Sequence, residues 1–209
     1  NHNDWTEWET ANANRLAAKA AKKKWPDFIL AQHPNPLQKE NYISGRACDH
    51  YNRFREDFDI AQQLGHNAHR FSIEWSRIEP EEGKFDEKEI EHYRQVISAL
   101  KERGIEPFVT LWHWTIPVWF RDKGGWLNKD SPKYFERYVY RLMRSLESVH
   151  YWITLNEPEI YADSSYLKGA WPPQNRNLLK YLKIFRNLAE AHKRAFVVIK
   201  KVNPDSIPF

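Results

Sequence analysis

A single cysteine, Cys48, leaves no disulfide within the 209-residue chain, so its fold must rest on core packing. No apolar run approaches the roughly 20 residues of a membrane-spanning helix. Of the nine histidines no two stand at HxxxH spacing. Cys48, Asp49 and His50 are adjacent and cannot all point at one ion, so no metal and no other cofactor is expected. Neither sign of charge dominates: 32 basic residues are scattered among 28 acidic ones, and the net +4 reads as a solvated surface rather than a nucleic-acid footprint. No low-complexity linker and no long repeat divides the chain, and residues 1–209 read as one domain. No signal peptide is visible, and the lone cysteine mildly favours a reducing, cytoplasmic location.

What is present is a soluble globular composition, 41% hydrophobic and 29% charged, with ten Trp, ten Tyr and eleven Phe. Most of these rings belong to a core; flat apolar faces also suit the faces of sugar rings. Residues 1–46 are the least regular part and read as a long decorated loop. Asn14 to Lys24 has good helix propensity there, and Pro26, Pro34 and Pro36 punctuate a loop.

From Asp49 the pattern tightens. Phe54, Phe58, Ala61 and Leu64 predict an amphipathic helix closed by Gly65. Asn67 to Trp75 alternates, with Arg70, Ser72 and Glu74 on one face and His69, Phe71, Ile73 and Trp75 on the other. Asp86 with Glu89 resembles a capping box opening a helix with an Ile90, Tyr93, Ile97, Leu100 stripe. A strand from Ile105 to Trp114 follows. Ser131-Pro132 then signals the N-cap and first turn of a helix carrying Tyr134, Phe135, Tyr138, Leu142 and Leu146. Val149 to Glu157 is the next strand, and a last helix from about Asn177 to Val202 presents Leu178, Leu182, Phe185, Ala189 and Phe196. Strand and helix alternate three times before a strand begins at Ser206, which predicts a parallel sheet of β/α units.

Two strands end in chemistry. Tyr151 to Leu155 is an apolar run stopped by Asn156, Glu157 and Pro158, and His113 with Trp114 ends the strand before Pro117. In β/α architectures the C-terminal strand ends face the ligand. Glu157 is therefore a candidate acid/base. Strict alternation would separate Asn156 from Glu157, so a bulge or the turn at Pro158 must bring both to one pocket.

The segments Ala47-Cys48-Asp49-His50-Tyr51, Arg70 to Ile78, Pro107 to Trp114, Gly125 to Asn128 and Ile153 to Pro158 follow one another in an order and spacing that resembles glycoside hydrolase family 1, the β-glucosidase and β-galactosidase type. The resemblance covers about residues 45–209. It implies a (β/α)₈ TIM barrel, here partial (about strands two to four and the start of five), and retaining hydrolysis of β-linked glucosides or galactosides. By resemblance Glu157 is the acid/base, Asn156 the amide on the sugar 2-hydroxyl, Arg70 the arginine beside the nucleophile, His113 a ligand to the glycone hydroxyls and Trp114 part of the glycone pocket. Tyr166 and Trp171 either line the aglycone entrance or staple their loop, and Arg70 could instead neutralise Glu74.

Retaining chemistry needs a carboxylic acid to protonate the leaving oxygen and a second carboxylate about 5–5.5 Å away. Burial of Glu157 among Trp and Tyr is expected to keep it protonated. The family's nucleophile lies in a Thr-Glu-Asn-Gly segment, and the only Thr-Glu here is Thr6-Glu7, followed by Trp8; this chain carries no nucleophile. The resemblance thus implies an internal fragment whose partners are a small β-glycoside or oligosaccharide and the remaining half of the barrel, with no nucleic acid and no membrane. A sugar-binding module without catalysis and a purely structural barrel fragment are the alternatives.

Overall fold

A computed structural model describes residues 2–32 and 38–209; the loop expectation at Pro34 and Pro36 lies outside them. Within the segment expected to be a long loop stands a 17-residue helix, α1 (Asp4–Ala20), followed by the short α2 (Asp27–Gln32). Asn3 caps α1, its Oδ1 accepting from Thr6 N at 2.8 Å. The buried face of α1 is Asp4 with Ala13, Ala17 and Ala20. Alanines make a weak hydrophobic period, which is why the helix is faint in the sequence.

The order then runs α3 (His50–Gln63), β1 (Ala68–Ser72), α4 (Trp75–Ile78), α5 (Glu87–Glu102), β2 (Glu106–Thr110), α6 (Val118–Asp122), α7 (Ser131–Met143), β3 (Tyr151–Ile153), α8 (Pro158–Ala162), α9 (Leu178–Val202) and β4 (Ile207–Pro208). The four strands are parallel and lie in sequence order. The register Phe71↔Val109↔Trp152 puts those side chains on one face, where Val109 and Trp152 are fully buried under the helices. Arg70↔Phe108↔Tyr151 puts the opposite face toward the inside of the curve, with Phe108 and Tyr151 stacked at 4.3 Å. Parallel strands in order with helices on one face are an arc of a (β/α)₈ barrel. Among the described residues no helix is long and apolar enough to cross a membrane.

Three further sequence expectations change. Ser131 is the first helical residue of α7 rather than its cap; Asp130 takes the cap position, and Ser131 Oγ is buried with no partner among the described residues. β1 stops at Ser72, so Glu74 leaves the alternation and caps α4, accepting from Ser76 N and Oγ. The stripe expected to bury α9 is exposed instead, Leu178 at 59% and Leu182 at 54%. The buried stripe is Ile184, Leu188, Ala191, Ala195, Val198 and Ile199. The helix is apolar on two faces, and the face with alanines lets α7 approach closely.

α1 is fastened to the barrel by a reciprocal clasp. Asp4 N donates to Ile116 O at 3.1 Å, and Ile116 N donates to Asp4 Oδ1 at 2.8 Å. Burial pushes the Asp4 carboxyl from 3.8 up to about 7, against the Ile116 N–H and with a further rise from the Glu74 charge. A carboxyl that holds its proton more tightly when folded favours folding below its unfolded value, and that contribution is lost as pH rises toward 7.

Between about pH 4 and about pH 8 the chain should therefore lose up to about 4 kcal/mol of stability relative to Asp4→Asn. Urea denaturation of both proteins across this range measures it, and a pH-independent difference refutes it. Ser131→Ala should be neutral or stabilising by up to about 1 kcal/mol, because a buried hydroxyl without a partner is removed. A loss of the size of a deleted N-cap, about 0.5–2 kcal/mol in the same experiment, would restore Ser131 to the capping role.

Candidate active site

The arc of strands ends on one side in a group of polar side chains, and Asn156 is its centre. A regular β2–β3 ladder would continue past the Leu111 N to Ile153 O bond with residue 155 donating to Leu111. Instead the Leu111 carbonyl accepts from Tyr138 Oη at 3.0 Å, and Asn156 N donates to Trp112 O at 2.9 Å. The next residue, Glu157, adopts φ 40° and ψ 59°, in the left-handed region. Pro158 disfavours right-handed helical backbone at the residue before it. Of the two alternatives the sequence left open, a bulge or the turn at Pro158, the structure takes the turn, through left-handed backbone at a cost of about 1–3 kcal/mol. It leaves Asn156 Nδ2 3.5 Å from Glu157 Oε2, a contact at the long limit of a hydrogen bond.

Arg70 reaches across from β1. Its Nη2 donates to Asn156 Oδ1 at 2.6 Å and its Nε to Thr110 Oγ1 at 2.9 Å. A guanidinium can only donate, so these bonds fix which way the Asn156 amide points. Glu74, the sequence's alternative partner for Arg70, is engaged elsewhere and accepts from Thr115 Oγ1 at 2.8 Å. His113 Nδ1 lies 3.0 Å from Ser72 Oγ, and its Nε2 makes no hydrogen bond among the described residues. Partial burial and then the Arg70 charge hold His113 below the usual imidazole range, with Glu157 pulling the other way.

Trp114 has φ 77°, a left-handed value rare for a bulky side chain, and Thr115 N donates to His113 O at 3.0 Å around it, the pattern of a tight γ-turn. Its Nε1 donates to Asn156 O at 3.1 Å. Trp171 packs on the Trp114 ring at 4.5 Å. Trp5 of α1 lies parallel to Trp114 at 6.5 Å and edge-on to Trp171 at 5.4 Å. Five of the seven candidates, Glu157, Asn156, Arg70, His113 and Trp114, thus meet at one mouth, with Trp171 joined through its ring.

Tyr166 is elsewhere. It is buried in a cavity of about 490 Å³ bordered by Asp4, Ile116, Arg121 and Pro172, where burial pushes its phenol up. That cavity holds none of Glu157, Asn156, Arg70 or His113, so it is separate from the polar cluster. Glu157 itself is exposed, contrary to the expected burial among rings. Among the described residues no three His, Cys, Asp or Glu side chains gather as a metal site. Thr110 and Trp5 were not singled out from the sequence. Thr110 falls on the Arg70 face of β2, a position readable once the register is known.

A family model described as glycosyl hydrolase family 1 matches residues 21–207. β-Glucosidase A of Thermotoga maritima is 41% identical over 192 residues, which are 91% of this chain and 42% of that protein. A 1,4-β-D-glucan glucohydrolase of Thermotoga neapolitana is 38% identical, over 91% of this chain and 44% of its own. Among solved structures, a β-glycosidase from Pyrococcus horikoshii superposes with a TM-score of 0.77 at 36% identity, covering 95% of this chain and 41% of that one. The T. maritima β-glucosidase in complex with deoxynojirimycin gives 0.75 at 40% identity, covering 77% and 37%. The chain spans about two fifths of the length of the curated relatives it matches.

The charge pairing at the mouth has a spectroscopic consequence. His113 should titrate below the ordinary imidazole value of about 6.5, and Arg70→Gln should raise its pKa by removing a neighbouring positive charge. NMR titration of the His113 ring in both proteins tests this; a fall on substitution would refute it.

Proposed function

The chain belongs to glycosyl hydrolase family 1, and from that premise we propose that it carries the acid/base half of a retaining β-glycosidase site. The observation that supports this best is the convergence on Asn156 of side chains from three different strand ends, joined by the 2.6 Å bond to Arg70. A β-linked glucoside or galactoside would lie with its glycone against Trp114 and its hydroxyls toward His113 Nε2. Asn156 would bond the 2-hydroxyl, a contact that strengthens as charge develops at the sugar.

Glu157 protonates the glycosidic oxygen as the bond from that oxygen to C1 breaks. A second carboxylate, about 5–5.5 Å away and supplied by the rest of the barrel, attacks C1 and forms the glycosyl-enzyme. Water then displaces it while the Glu157 carboxylate takes the water's proton, which returns both groups to their starting states. By the resemblance Arg70 would lie beside the second carboxylate, and its positive charge would keep that group ionised. The remaining strands would also cover Glu157 and the Phe108–Tyr151 face. Trp171, whose ring packs on Trp114, would lie on the leaving-group side, and Tyr166, buried in its separate cavity, would staple its loop. The 209 residues act as one unit of that barrel, and an exposed Cys48 accords with a reducing, cytoplasmic setting.

A second reading applies to these residues by themselves. With no Thr-Glu-Asn-Gly segment in the sequence, the same mouth would bind a sugar without cleaving it.

The test is Glu157→Gln in a protein that spans the whole barrel. Hydrolysis of an alkyl β-glucoside should fall by about 10²-fold or more, while a dinitrophenyl glucoside, whose leaving group needs no proton, is affected far less in its glycosylation step. Equal losses on the two substrates would remove Glu157 from the acid role.

A further inference from the structure

Trp114 is a large side chain on backbone of the wrong hand, and such a conformation persists only where its surroundings over-determine it. Its own strand does not supply the restraint, because β2 ends at Thr110. The indole bond to Asn156 O holds one end of the ring. What holds the backbone comes from α1, far away in sequence. Asp4 clasps both backbone groups of Ile116, two residues beyond Trp114, and Trp5 lays its ring parallel to the Trp114 ring while bracing Trp171.

We propose that Asp4 and Trp5 are positioning residues for Trp114, so that the N-terminal helix sets the wall of the sugar site without touching the reacting atoms. The contacts define what each residue must provide. Trp5 Nε1 is buried and has no partner among the described residues, so the ring face does the holding and the indole N–H contributes nothing. Asp4 contributes an oxygen that accepts from Ile116 N, which an amide oxygen can replace. Packing support from α1 in general is a different matter, because the helix also buries Ala13, Ala17 and Ala20 away from the rings. Trp8 stands edge-on to Trp5 at 5.7 Å and steadies it from the helix side.

Hydrogen exchange of the Trp114 indole N–H, identified by its loss in Trp114→Phe, reads this positioning directly and needs no turnover. Asp4→Ala and Trp5→Ala should each speed that exchange by about tenfold or more, as local opening frees the bond to Asn156. Asp4→Asn and Trp5→Phe should keep it near wild type, and so should Ala13→Gly, which loosens α1 without touching the rings. An unchanged rate in both alanine variants at the rings, or an equal rise in Ala13→Gly, would overturn the proposal.

The consequence for ligand affinity rests on the sugar-site reading. Deoxynojirimycin should bind the whole-barrel protein about fivefold more weakly with Trp5→Ala, and Trp5→Phe should recover most of that loss. Equal affinity of the wild type and Trp5→Ala would overturn the role in shaping the sugar site. Failure of the wild type to bind deoxynojirimycin would count against the sugar-site reading itself, and the exchange result would still decide the positioning.

Discussion

Every polar group of Asn156 is engaged, and each by a different residue. Its N–H goes to Trp112, its carbonyl takes the Trp114 indole, its side-chain oxygen takes Arg70, and its amide nitrogen points at Glu157. A buried amide with unmet groups would cost about 1–3 kcal/mol, so this side chain constrains the ends of β1, β2 and β3 together. The bond to Arg70 carries a formal charge, which places it among the stronger hydrogen bonds. The mouth is therefore a network closed on one residue, and its geometry follows from where the three strands stop.

The helices behind the sheet keep those strands in place. A buried carboxylate ties several of them: Glu79 accepts from Trp75 Nε1 and Gly83 N and pairs with Arg137 of α7, while its own carbonyl takes the Trp119 indole. Burial raises the Glu79 carboxyl, and its three partners Trp75, Gly83 and Arg137 oppose that rise. Around it Trp75, Trp126, Phe120, Phe135 and Tyr138 pack at mostly edge-to-face or tilted angles. The aromatic wealth of the chain is thus spent twice, on a core behind the sheet and on three tryptophans at its mouth.

Much of this was readable in the sequence because it rests on local signals. Tyr151 to Pro158 is an apolar run broken by polar residues and a proline, and the Asp86 cap holds as expected, its Oδ1 accepting from Lys88 N and Glu89 N. Glu89, however, accepts from Tyr51 Oη instead of reaching back, so only half of the capping box is made. Where two local patterns compete, sequence cannot choose. α9 has two apolar stripes and only packing against α7 selects one, and alternation carried Glu74 past the point where β1 had already ended. The exposure of Glu157 and the place of Trp5 depend on what surrounds them in space, and no period in the chain encodes that.

The clasp between Asp4 and Ile116 spans 112 residues, and the Trp5 ring needs Trp171, farther still. The strands, by contrast, pair in sequence order, each with the one before it, across roughly forty to fifty-five residues. Closing a longer loop costs more chain entropy, and contacts of high sequence separation form late. By that measure α1 is seated on the four described strands after they have paired with one another. During synthesis the rings of Trp5 and Trp8 wait through the emergence of β1, β2 and β3, and the three-tryptophan wall is complete only when the loop bearing Trp171 has left the ribosome.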